Sequence, residues 1–121
     1  MERLFSKKHI WIKKESEKNV VLGLTPYALE QLGSIMFVNL PDVGDTIEME
    51  KAFGDVESIK TVSDLIAPVS GVIIQINEVL MDEPEKMNKD ALENWLVRVE
   101  ITEMDVNLMN KEAYHKFLQE Q

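Results

Sequence analysis

Polar and apolar residues alternate over several short stretches of the chain, as they do in strands with one buried face. In Asp45-Thr46-Ile47-Glu48-Met49-Glu50, Ile47 and Met49 are set to face inward while Thr46, Glu48 and Glu50 meet water. Trp95, Val97, Val99 and Ile101 fall on one face of a second stretch, with Arg98 and Glu100 on the other. Ile10-Trp11-Ile12, Asn19 to Leu24, Ser34 to Val38 and Gly71 to Ile76 read as further strands, rich in β-branched residues and mostly bounded by Gly, Asn, Pro or Asp. Val56 to Val62 adds one more, because Ile59 and Thr61 beside Lys60 are poor turn formers. So many short strands in 121 residues predict a mainly β barrel or sandwich.

Helices are brief in this pattern. Thr25 stands as an N-cap before Pro26, which suits the first helical position, and Gly33 stops the run Tyr27 to Leu32. Asp82 to Met87 is acidic at its start and suits one short turn. Thr102 and Asp105 have the spacing of a capping box. Asn110 caps a helix over residues 111–119 in which Ala113, Tyr114, Phe117 and Leu118 share one side. No linker, repeat or low-complexity tract divides the chain, so residues 1–121 are expected to form one domain.

Composition narrows the chemistry. Hydrophobic residues at 45% and charged residues at 29% suit a folded domain rather than a disordered chain. Thirteen Lys+Arg against twenty-two Asp+Glu leave a net charge of −9, which repels nucleic acid, and no basic patch offsets it. The absence of Cys removes disulfides, thiolate metal sites and thiol nucleophiles. No apolar run reaches membrane-spanning length and the N-terminal residues form no signal core, so no membrane partner and a cytoplasmic location are expected. His9 and His115 each lack a neighbouring nucleophile or ligand, and nothing matches a phosphate loop, a zinc spacing or a calcium loop. Gly44, Gly54 and Gly71 read as turn or bulge glycines. Phe37, Phe53, Trp95 and Phe117 are expected in the core, and the seven dispersed methionines are expected to fill gaps. No catalytic constellation emerges, so the chain is not expected to be an enzyme.

One segment carries more information. Glu57-Ser58-Ile59-Lys60-Thr61-Val62-Ser63-Asp64-Leu65, followed by Ala67-Pro68-Val69-Ser70-Gly71, resembles the lipoyl-attachment signature of the glycine cleavage system H proteins. Leu24 to Pro41 is similar to that family's early block, and Val43-Gly44-Asp45, Phe53-Gly54 and Asn77-Glu78 to Glu85 follow in the same order. Gly44 lies sixteen residues before Lys60 and Gly71 eleven after it, the glycine spacing of lipoyl domains. The neighbours of Lys60 are Ile59 and Thr61 rather than methionines, which argues against a biotin carrier.

The resemblance implies a barrel-sandwich hybrid of two antiparallel sheets with short helices in the N-terminal third and at the C-terminus. Lys60 would then sit at an exposed hairpin tip, joined by an amide to lipoic acid, and the poor turn propensity there would be strain held for presentation. It also implies a non-catalytic, monomeric carrier between glycine decarboxylase, aminomethyltransferase and dihydrolipoamide dehydrogenase, modified by a lipoate ligase or an octanoyl/lipoyl transferase. Glu57, Asp64 and His9 are the residues expected to line the arm's cleft or meet partners, with Asp55 beside them. Two departures stand out. The chain reads His9-Ile10-Trp11 where the family carries His-Glu-Trp, and Lys89 to Asn94 replaces a Pro-Tyr-Gly-like segment. They leave open an H-like lipoyl carrier for lipoate distribution or a redox or regulatory pathway, without glycine cleavage.

Overall fold

The computed structural model describes residues 2–121. Strands β1 (Arg3–Phe5), β2 (Ile10–Lys14) and β3 (Asn19–Leu24) form an antiparallel meander that leads into helix α1 (Pro26–Leu32). Then follow β4 (Ile35–Asn39), β5 (Thr46–Ile47), β6 (Ala52–Ser58), β7 (Val62–Ile66) and β8 (Val69–Ile76). Helix α2 (Glu78–Asp82), a 3-10 turn over Pro84–Asn88, β9 (Val97–Met104) and helix α3 (Lys111–Gln119) complete the order. Six strands make one sheet in the order β1-β2-β3-β9-β8-β5, and β4-β6-β7 make the other. All pairs are antiparallel, and the expected barrel-sandwich hybrid is the architecture found.

Alternation explains why the sheets face each other. Val20, Leu22, Ile73, Val97 and Val99 of the larger sheet meet Ile35, Val38, Val56 and Leu65 of the smaller one in one buried core. Ala28, Leu29 and Leu32 of α1 pack into the same core. Burying a Val or Leu side chain contributes about 1.5–3 kcal/mol, so these contacts are the main force holding the two sheets together. Thr25 caps α1 by accepting a hydrogen bond from Ala28 N, and Gly33 ends it at φ 79, both as the sequence predicts. The larger sheet is covered on its outer side as well. There Trp11, Phe5 and Val21 pack with Tyr114 of α3, and the Trp11 indole donates to Ala91 O at 3.0 Å.

Several expectations are corrected. Val56 to Val62 is not one strand: β6 ends at Ser58 and β7 begins at Val62. Residues Ile59, Lys60 and Thr61 are absent from the positive-φ positions, so the turn asks for no left-handed residue and the predicted strain is missing. Strand β5 stops after Ile47 because Lys51 N bonds back to Glu48 O and Glu50 takes φ 68, which leaves Met49 half-buried. Trp95 precedes β9 and does not share the face of Val97; the Arg98 guanidinium lies 4.5 Å from its ring centroid. Thr102 belongs to β9 and Asp105 caps only a turn at Asn107, so there is no capping box. Ala113 is exposed, and of the four aromatics expected in the core Phe37 lies on the surface. Met87 fills the core as expected, but Met36 and Met81 are exposed. Gly54 and Gly71 sit at register shifts where a Cβ would meet Asn39 O and Glu100 O, and Gly44 takes φ 97.

Candidate functional site

The hairpin of β6 and β7 positions Lys60. Pairing runs through Asp55–Asp64, Val56–Ser63 and Glu57–Val62 and leaves Ile59, Lys60 and Thr61 at the tip. Ser58 organises that tip. Its N–H donates to Thr61 O at 2.8 Å, and its Oγ accepts from Lys60 N at 3.1 Å and Thr61 N at 3.2 Å. A side-chain acceptor thus satisfies backbone donors that a longer ladder would have used, as Ser does in short turns. Ile59 N donates to Ser34 O at 3.2 Å and ties the tip to the chain entering β4.

The lysine stem runs beside the end of α1. A Cβ placed on Gly33 would lie 3.6 Å from Lys60 Cε, an ordinary contact, so glycine is needed here for the φ of 79 that ends the helix rather than for space beside the stem. Asn88 braces the same corner: its Nδ2 donates to Gly33 O at 2.9 Å and its Oδ1 accepts from Ile35 N at 3.0 Å. No signal in a single sequence marks Asn88 or Ser58 for these roles.

Lys60 is exposed and takes no part in the ion pairs among the described residues. Asp55 and Glu57 instead receive the Asn39 side-chain amide, at 2.7 and 3.3 Å. Neutralising the amine by an amide bond therefore costs the fold no salt bridge, and the site fits an acyl group on Nζ.

The expected acidic residues are gathered together. Asp55 and Asp64 are cross-strand partners, and Glu57 lies two positions along β6 on the same face. His9 lies elsewhere. Its ring packs on Tyr27 near the start of α1, whereas Lys60 lies at the end of that helix. His9 Nδ1 is 2.8 Å from Tyr114 Oη, which donates to Thr25 Oγ1 at 2.9 Å, so the ring joins α3 to the cap of α1. Burial, with the charge of Lys8, holds the His9 imidazole below its usual range. Burial pushes the Tyr114 phenol up. Ile10 is 1% exposed in the core, and His115 is exposed on α3.

Residues 89–94 cover the outer sheet face. Ala91 O accepts the Trp11 indole N–H, and Leu92 O accepts from Arg3 Nη2 at 2.7 Å. Among the described residues, no cluster of His, Cys, Asp and Glu could hold a metal, and no helix is long and apolar enough to cross a membrane.

With this geometry in hand, comparison with known proteins is consistent throughout. Residues 3–121 match the family model described as glycine cleavage H-protein. Glycine cleavage system H proteins of Bacillus cereus (strain AH187) and Bacillus anthracis (strain A0248) are each 49% identical over 100 residues, covering 82% of this chain and 78% of theirs. The crystal structure of a glycine cleavage system H protein from Mycobacterium marinum superposes with a TM-score of 0.91 at 35% identity, over 98% of this chain and 97% of that one. A match over nearly the whole length in both sequence and fold places this chain in the glycine cleavage H-protein family.

Proposed function

We propose that the chain is the lipoyl carrier of a glycine cleavage system, with lipoic acid in amide linkage to Lys60 Nζ. It would carry an aminomethyl group from glycine decarboxylase to aminomethyltransferase and electrons to dihydrolipoamide dehydrogenase, without catalysing these steps. The observation that carries this reading is the exposed, unpaired Lys60 at a braced hairpin tip in a chain of this family.

Bound lipoate supplies the disulfide redox chemistry that a chain without cysteine lacks. The protein's own contribution is presentation. Ser58 and Ser34 hold the turn, and the tether raises the arm's local concentration at each partner without tight binding. A monomer of residues 1–121 acting in the cytoplasm suits a carrier that visits several enzymes, and a lipoate ligase or an octanoyl/lipoyl transferase would modify it.

Intact mass after co-expression with a lipoate ligase tests attachment. The wild type should gain one lipoyl increment and Lys60→Arg none; an unmodified, correctly folded wild type would refute the reading. The modified protein should then support glycine-dependent bicarbonate exchange by glycine decarboxylase.

The buried Ile10 favours a second reading. Its side chain points into the core and offers no carboxylate to a cationic arm, which suits an H-like carrier that moves lipoate or electrons alone. Lipoylated protein that is reduced by dihydrolipoamide dehydrogenase but supports no exchange would select it.

A further inference from the structure

Asn88 is exposed at the end of the 3-10 turn, yet its side chain holds the two residues on either side of Ser34. Its Nδ2 donates to Gly33 O at 2.9 Å and its Oδ1 accepts from Ile35 N at 3.0 Å. These two groups flank one edge of an extended residue, so the Asn88 amide pairs with the segment as a neighbouring strand would. The carbonyl between them, that of Ser34, accepts from Ile59 N at 3.2 Å. Asn88 is itself placed by the core: the preceding Met87 is 0% exposed, and Lys89 N closes the turn on Lys86 O at 3.1 Å.

The bond from Ile59 to Ser34 stands where the sheet is weakest. Register shifts between Ile35 and Phe37, so the pair nearest the attachment turn, Ile35–Ser58, is cut off from the regular pairing that starts at Phe37–Glu57. Ser58 shapes the turn from within the hairpin. Among the described residues, the Ser34 carbonyl is the only hydrogen-bond partner of residues 59–61 from outside it. The Lys60 stem leans on the same place, since its Cε is 3.6 Å from a Cβ built on Gly33. Leu32 and Ile35 on either side are buried in the core. Packing therefore secures α1 and β4, and the exposed amide adds the orientation of the peptides between them.

We propose that Asn88 is a positioning residue for acylation of Lys60: it orients Gly33 and Ser34, and through them sets where the attachment hairpin presents Nζ. This rests on the carrier reading above and adds to it a residue from a separate element of the fold. In the step concerned, the neutral Lys60 amine attacks the carbonyl carbon of an acyl adenylate held by a ligase. A C–N bond forms, the C–O bond to phosphate breaks, AMP leaves with that electron pair, and the amine's proton passes to solvent. Asn88 touches none of these atoms. Its effect is geometric, because a misplacement of about 1 Å at a reacting centre can cost about 100-fold in rate. The long lysine side chain absorbs part of such a shift, which sets the expected loss at about tenfold.

The test uses the full unmodified chain as the varied substrate of a lipoate ligase with lipoate and ATP, with amide hydrogen exchange read by NMR on the same samples. Asn88→Ala should lower kcat about tenfold and leave KM within about twofold of wild type. Asn88→Asp, which is isosteric, keeps an acceptor for Ile35 N but offers Gly33 O no donor, and should lose a comparable factor. In both variants protection of the Ile59 amide should fall about fivefold, while the Val56–Ser63 pair in the body of the hairpin keeps wild-type protection.

Wild-type kcat in both variants, or wild-type exchange at Ile59, would overturn the positioning role and leave the carrier reading intact. A raised KM with unchanged Ile59 exchange would make Asn88 a direct ligase contact, and protection lost evenly along β6 and β7 would make it a general brace; either result overturns the proposal. A correctly folded wild type that the ligase leaves unmodified would instead remove the carrier reading, and with it the acylation step that Asn88 is proposed to serve.

Discussion

Replacing Ser58 with alanine isolates the device that makes the hairpin tip. The Ser58 hydroxyl accepts from two consecutive amides, Lys60 N at 3.1 Å and Thr61 N at 3.2 Å, and lies 3.2 Å from Thr61 O as a donor. Each such bond contributes about 0.5–1.5 kcal/mol net when protected, and water at this exposed turn replaces part of that. Ser58→Ala should therefore cost about 1 kcal/mol of local stability rather than the sum of three bonds. That energy corresponds to about a fivefold change in an equilibrium, so exchange protection of the Lys60 and Thr61 amides should fall by about that factor. The backbone bond from Ser58 N to Thr61 O and the pairs from Glu57–Val62 onward are untouched, so protection in the body of the hairpin should persist. Amide hydrogen exchange read by NMR distinguishes the two regions, and Ser58→Thr, which keeps the hydroxyl, should restore the tip. Equal protection of residues 60 and 61 in wild type and Ser58→Ala would refute this account of the turn.

Two further perturbations probe the supports behind the site. At Gly23, an added Cβ would clash with the Trp11 ring, which is fixed by its bond to Ala91 O, so Gly23→Ala should destabilise by about 3 kcal/mol; a denaturation midpoint equal to wild type would contradict that. His9 titrates below its ordinary value of 6.5, so the unfolded chain takes up this proton first as pH falls. The stability owed to neutral His9 is complete above that value and is lost as pH drops through the folded value. Lys8 repels the imidazolium, while the rings of Tyr27 and Tyr114 pack against His9. Melting temperature should then fall more steeply between pH 7 and pH 5 in wild type than in His9→Asn, which tolerates φ 68 without titrating; parallel curves would exclude the effect.

The strands were readable from β-branched runs and the turn residues that bound them, even where both faces are buried. Asn19 to Leu24 matches β3 residue for residue, and Thr25, Gly33 and Asn110 mark helix ends through local hydrogen bonds that need no tertiary context. Failures occurred where distant contacts decide. Trp95 is drawn out of the alternation by Arg98 and the outer aromatic cluster, and Phe37 breaks the rule that large aromatics are buried. Helix α2 went unseen because its five residues are too few to show a period. Residues 89–94 depart from the family's sequence, yet they perform a definite task by capping the indole of Trp11 and the guanidinium of Arg3. That task depends on backbone carbonyls, which no side-chain pattern reports.

The Lys60 turn shows why pattern and resemblance disagreed there. Propensity objected to Ile59-Lys60-Thr61 because tight hairpin turns commonly require residues with positive φ, which β-branched side chains avoid. The turn found here never enters that region. It closes with ordinary backbone angles because Ser58 supplies from its side chain the acceptor that a primed turn would obtain from the backbone, and Ser34 holds Ile59 from outside. The backbone of the tip is thus held at Ser58, Ile59 and Thr61, while the exposed Lys60 side chain takes part in no ion pair among the described residues. A carrier needs that division. Under the proposed attachment at Lys60, backbone order there would remove one source of entropy loss when a partner docks, and side-chain freedom would let a single lysine serve active sites of different shape.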